Sequence, residues 1–160
     1  KEAMDATFLL SNVAPMKEEF NDGIWLELEH NIRDWSRRYK RIHVVAGPVF
    51  KDPITTIGEN DILVPRYFYK AVFTRKSGSP MVIGFLMDQD QQIFAPLDDY
   101  MVSIDSIEKM TGLDLFSNLY RDRDEEKNLE KEISRLTREW PFNEKWYQQR
   151  LREEQRERRN

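Results

Sequence analysis

An α+β domain, with a mainly antiparallel sheet flanked by helices, is the fold class this sequence predicts, and three observations lead there. Between residues 21 and 39 the apolar side chains Ile24, Leu28, Ile32, Trp35 and Tyr39 recur at spacings of four, four, three and four, which gives one helix a face to bury. Tyr67 to Arg75 and Met81 to Met87 are β-branched and aromatic runs joined by the turn cluster Lys76-Ser77-Gly78-Ser79-Pro80, which reads as a hairpin. Strand, helix, strand, loop, hairpin and helix then follow one another, an order suited to an antiparallel sheet with helices beside it.

Each element has its own signal. Residues 6 to 14 read as a buried strand ended by Pro15, and a polar loop with Lys17, Glu18 and Glu19 follows. Asn21 or Asp22 is placed to cap the long helix, whose cationic end at Arg37, Arg38, Lys40 and Arg41 suits the macrodipole. Ile42 to Ala46 is expected as a second strand closed by Gly47-Pro48, and Lys51 to Asp61 as a loop. Asp88 to Asp99 is loop-like, and Asp88-Gln89-Asp90 resembles a calcium loop only superficially, since no glycine and bidentate glutamate follow at the required spacing. Ser103 or Asp105 caps a short helix through Met110, with Gly112 just past its end.

The remaining forty residues differ in kind. Residues 121 to 160 hold 12 Lys or Arg and 11 Asp or Glu, so they are mostly charged, and residues 1 to 120 carry the fold. This tail is read as a charged helical extension: a helix from Glu125 to Glu139 with Leu129, Ile133, Leu136 and Trp140 on one side, a break at Pro141, and a second helix from Asn143 onward. The apolar stripe can pack on the domain or on a second copy of the chain as a homodimer.

Composition narrows the chemistry. The absence of cysteine excludes disulfides, thiolate metal sites and a cysteine nucleophile. No apolar run approaches the roughly 20 residues of a membrane span. An acidic chain, with net charge −4, gives nucleic acid no general attraction, so any such binding must be local.

One such locality stands out. Asn21, Trp25, Glu29 and Arg33 are each four residues apart, which on a helix aligns an amide, an aromatic ring, a carboxylate and a guanidinium. On pattern alone, a helix cap followed by a solvated Glu29–Arg33 ion pair accounts for the same residues.

Further blocks change that balance. Ala3 to Pro15 with its Ser11-Asn12-Val13-Ala14-Pro15 turn, Asn21-x-x-x-Trp25-x-x-x-Glu29-x-x-x-Arg33, Val44-Val45-Ala46-Gly47-Pro48, Val64-Pro65-x-x-Phe68-x-Lys70 and Met110-Thr111-Gly112-Leu113-Asp114-Leu115-Phe116 occur in this order. Together they resemble the DNA/RNA non-specific endonucleases of the ββα-metal superfamily, over about residues 3 to 120. The resemblance implies a ββα-metal nuclease fold and a Mg²⁺ cofactor, with Mn²⁺ able to substitute. It makes Asn21 the metal ligand, Glu29 the carboxylate that orients metal-bound water, and Arg33 the cation facing the scissile phosphate of a DNA or RNA substrate. A hard ion that keeps most of its waters suits one neutral amide ligand.

The family's general base is the histidine of an Asp-Arg-Gly-His-type motif, and that motif does not occur in this sequence. His30 points about 100° away from the stripe by helical geometry, and His43 lies on a strand, so neither takes that position. The expectation is therefore the metal-holding part of a longer nuclease, the histidine coming from an N-terminal segment of the same protein. A competing reading is a nuclease-derived module that no longer catalyses and uses its helical tail for protein or nucleic-acid contacts. Trp25 is expected to pack beside the metal and His30 and His43 to be surface or packed residues, while Lys70 stays open, since it matches one of the blocks yet alternates like an outward strand residue. The sequence leaves the compartment open, with the lack of cysteine and the family habit favouring export or a bacterial periplasm.

Overall fold

The computed structural model describes residues 13–91, 95–131, 139–143, 145–157 and 159. The strand expected at residues 6 to 14 falls almost wholly outside these, as do Ile133 and Leu136.

A four-stranded antiparallel sheet in the order β1-β4-β5-β6 forms the middle layer, from β1 (Ile42–Val49), β4 (Tyr67–Lys76), β5 (Ser79–Asp88) and β6 (Met101–Val102). Side chains alternate across a strand, so β4 sends Phe68 and Val72 to one face and Tyr69, Ala71 and Phe73 to the other. On the first face α1 (Leu26–Tyr39) lays Leu28 and Trp35 on the sheet. On the second, α2 (Ile104–Thr111) lays down Ile104 and Ile107. Ser103 caps α2 by accepting from the Ser106 amide, and Gly112 ends it in the left-handed region, as expected.

The hairpin forms with Lys76 opposite Ser79, and its two loop residues, Ser77 and Gly78, both have positive φ, the geometry that matches strand twist in a two-residue turn. Elsewhere the chain departs from its sequence reading. β1 does not stop at Ala46: it runs through Gly47 and Pro48, which pair with Tyr69 and Phe68. Proline is tolerated there because β1 is an edge strand and its missing N–H removes no internal ladder bond. The polar stretch expected as a loop contains a second hairpin, β2 (Thr55–Ile57) with β3 (Ile62–Val64).

The helix start also differs. Helical structure begins at Glu18, and Asn21 lies inside it, so neither Asn21 nor Asp22 is an N-cap. A short turn, Glu18–Phe20, widens into a π-helical turn over Asn21–Trp25, where Gly23 leaves helical geometry (φ −97°, ψ −118°) before α1 begins. Turns of this kind are frequent at functional sites, and Asn21 is the first residue of this one.

In the tail, α3 (Arg123–Glu130) starts two residues earlier than expected. Asp122 caps it, its carboxylate accepting from the amides of Asp124 (3.0 Å) and Glu125 (2.8 Å). Leu129 joins the second core face while Trp140 is fully buried in the first, so these two do not share one side of one helix. Trp140 packs edge-on against Trp35 (5.0 Å between ring centres) and Tyr39 (5.3 Å). The Trp35 indole N–H donates to the Pro141 carbonyl at 2.9 Å, and the Asn31 side chain pairs with the Asn143 backbone in both directions (2.7 and 3.2 Å). The last helix among the described residues is α4 (Lys145–Glu157).

Candidate active site

Three aromatic rings make the floor. Phe20, Trp25 and Phe68 are buried with centroids 5.7 to 5.8 Å apart, joining the turn before α1 to β4. Burial of such rings, plus their edge and stacking geometry, fixes the start of α1 on the sheet. Above them lies a cavity of about 820 Å³ bordered by Asn21, Asp22 and Glu18 on one side and by Ala46, Gly47 and Pro48 of β1 on the other, with Trp25 and Phe68 in its wall. The extension of β1 through Gly47 and Pro48 is what supplies that second wall.

Lys70 projects from β4 on the α1 side. Contrary to the outward position that alternation suggests, its side chain is only 6% exposed, and its ammonium donates to Glu29 Oε1 at 2.9 Å. The same ammonium lies 3.9 Å from the centre of the Trp25 ring, within cation–π range. Burial pushes the Lys70 pKa below its ordinary value, the Glu29 hydrogen bond and charge oppose that shift, and nearby Arg33 adds to it. Glu29 Oε2 in turn faces Arg33 at 3.5 Å.

The structure therefore joins Trp25, Glu29 and Arg33 as the sequence stripe requires, and adds Lys70 as a fourth member from another element. A solvated i,i+4 pair does not describe Glu29, because a buried lysine from the sheet holds its other oxygen. Asn21 reaches the group by a different route, sharing the cavity wall with Trp25 and donating from its amide to Asp22 at 3.1 Å. His30 borders a groove with Arg33 and Arg37 rather than the Asn21 cavity. His43 is exposed on β1 against Phe73, and neither histidine borders the Asn21 cavity. Asp88 and Asp90 are engaged by Arg66 (2.6 and 3.1 Å), and Asp90 also by Lys17 (2.6 Å).

A separate carboxylate group, Asp105, Glu108 and Glu130, brings three ligand-type oxygens within 4.8 Å of one another. It sits on the α2 face of the sheet, across from Asn21, and Glu108 already accepts from the Leu115 amide at 2.6 Å. Among the described residues no helix is long and apolar enough to cross a membrane.

A family profile described as DNA/RNA non-specific endonuclease matches residues 1–122. Nuclease EXOG, mitochondrial, of Xenopus laevis is 35% identical over 136 residues, which cover 76% of this chain and 38% of that protein. Endonuclease G, mitochondrial, of Bos taurus is 34% identical over 134 residues, 74% of this chain and 44% of that protein. The chain thus spans about two-fifths of the length of these relatives. The crystal structure of the EndoG/EndoGI complex superposes with a TM-score of 0.64 and 29% identity, covering 73% of this chain and 53% of that one. The chain belongs to the DNA/RNA non-specific endonuclease family, a family of metal-dependent nucleases, and has the ββα-metal fold.

Proposed function

We propose that this chain carries the metal-holding and phosphate-facing part of a Mg²⁺-dependent, sugar-non-specific endonuclease that hydrolyses phosphodiester bonds of DNA and RNA, the general-base histidine coming from a segment outside these 160 residues. The observation that carries this reading is the chain of contacts Lys70–Glu29–Arg33, joined through the Trp25 ring to the cavity that Asn21, Asp22 and Glu18 border.

The donors present fit the ion. Asn21, Asp22 and Glu18 bring an amide oxygen and two carboxylates to the cavity, and hard cations such as Mg²⁺ take oxygen ligands while keeping several waters. When bound, Mg²⁺ supplies Lewis-acid charge to the phosphoryl oxygens. The chain's own residues do the rest. Asn21 would hold the ion through its amide oxygen, Glu29, fixed by Lys70 on one oxygen and facing Arg33 with the other, would orient water, and Arg33 would offer guanidinium N–H groups to a phosphate oxygen on which charge develops. Lys70 positions Glu29 and holds its charge in place. Backbone contacts of this type read no base identity, so cleavage is expected to be sequence-independent and salt-sensitive. Since the EXOG and endonuclease G relatives are named as mitochondrial, a mitochondrial setting is the compartment we propose, ahead of bacterial export.

The deciding experiment is a plasmid-nicking assay of the complete nuclease containing this chain, with Mg²⁺ and then with EDTA. Nicking that EDTA abolishes, and that Asn21→Ala lowers by about 100-fold, supports the reading. Full metal-dependent nicking by Asn21→Ala sinks the ligand assignment. A complete protein that binds DNA but never nicks it would select the second reading, a non-catalytic nuclease-derived binding module.

A further inference from the structure

The tail helix builds a surface that the site itself does not use. α1 and α4 enclose a groove of about 560 Å³ bordered by His30, Arg33, Arg37 and Lys145, and it runs on, through the shared residues Asn143, Lys145 and Gln149, into a second hollow of about 670 Å³ bordered by Arg152 and Arg156. Lys145, Gln149, Arg152 and Arg156 follow one another at spacings of four, three and four, so one stripe of α4 faces the whole tract. Five Lys or Arg line the two hollows against three carboxylates, in a chain whose net charge is −4. Two of those carboxylates are engaged within the groove, Asp34 by Arg37 at 2.8 Å and Glu153 by the Gln149 amide at 2.9 Å. The tract starts at Arg33, which also faces Glu29.

We propose that this groove is a second binding tract for nucleic acid, which holds the phosphate backbone beyond the scissile position. The inference rests on the endonuclease reading for the role of Arg33. Its reach follows from geometry: a helix of 13 residues is about 20 Å long, which spans about six phosphates of one strand at 3.4 Å each. Backbone phosphate is the occupant selected by charge, by the open and polar walls, and by continuity with Arg33. An acidic polypeptide is the alternative that the test must exclude.

The test measures binding of the full-length protein, in EDTA so that nothing is cut, to duplexes of about 6 and about 20 base pairs over a range of salt. The triple variant Lys145→Ala, Arg152→Ala, Arg156→Ala should lose about tenfold in affinity for the long duplex and flatten its log–log salt slope by about two to three, with a much smaller loss on the short one. The charge-keeping variant Lys145→Arg, Arg152→Lys, Arg156→Lys should restore the slope, which guards against a folding defect in the alanine protein. Equal affinity and slope for wild type and triple variant would overturn the proposal, as would a loss seen only with polyglutamate in place of DNA. Wild type that binds neither duplex would instead defeat the endonuclease reading.

Discussion

Lys70 Nζ sits 2.9 Å from Glu29 Oε1 and 3.9 Å above the centre of the Trp25 ring, so one buried ammonium ties the sheet to both the aromatic floor and the carboxylate of the site. Substituting Lys70 by Met keeps most of the volume and removes the charge. Among the described residues Glu29 is then held only by Arg33, at 3.5 Å and at the surface, where such pairs are worth little. Nicking by the complete nuclease should fall about 10- to 100-fold, while the melting temperature changes by only a few degrees, since removing a partly desolvated ammonium offsets the lost contact. A rate within twofold of wild type would show that Glu29 needs no support from β4.

Gly47 tests the wall across the cavity. A Cβ there would lie 3.0 Å from the Tyr69 ring, and that ring is buried and has little room to yield. Gly47→Ala should therefore cost about 1–2 kcal/mol and, by displacing the β1 side of the cavity, lower nicking as well. Equal melting temperatures for the two proteins, read by calorimetry, would mean that β1 shifts without cost.

Trp140 makes the tail part of the core. It is fully buried against Trp35 and Tyr39, and its neighbour Pro141 accepts from the Trp35 indole. Trp140→Ala should cost about 3–5 kcal/mol, a fall of about 10 °C in melting temperature. Deletion of residues 139 to 160 should do at least as much, because it also strips the Asn31–Asn143 pairing. A calorimetric melt unchanged by the deletion would rule this out.

How much of this the sequence discloses depends on the range of the contact. The α1 periodicity, the β4–β5 hairpin and the caps of α2 are local, and residue types alone make them legible. Lys70 is different. Alternation along β4 assigns it a face but not what covers that face, and only α1 packing on that side turns an outward-looking lysine into a buried partner of Glu29. The extension of β1 through Pro48 was hidden for a related reason, since proline reads as a terminator unless the strand is known to lie at an edge. Nothing in the four-residue spacing of Asn21 and Trp25 announces the π turn between them, and the burial of Trp140 depends on contacts more than a hundred residues away in the chain. The blocks that resemble a family located Asn21, Glu29, Arg33 and Lys70 without explaining how they meet.

Glu130 makes stability depend on pH. Its carboxyl group is buried beside Asp105 and Glu108, with Glu126 and Asp114 near and the Tyr120 hydroxyl against it. Burial first, and then the charges of Glu108, Glu126, Asp105 and Asp114, push its pKa up to about 7. Between the ordinary carboxylate range and pH 7 the folded chain keeps a proton that the unfolded chain has released, so the native state binds more protons and stability falls as pH rises through that window. About one pH unit above that both states are ionised, and the loss is complete. Glu130→Gln places a neutral group in the same site. Its melting temperature should match wild type near pH 5 and exceed it by about 2–4 °C at pH 8, a difference on the order of 1 kcal/mol. Calorimetry of the two proteins across pH 5 to 8, roughly the span over which the group titrates, reads this directly. Parallel curves would show that Glu130 carries no proton of its own in the folded chain.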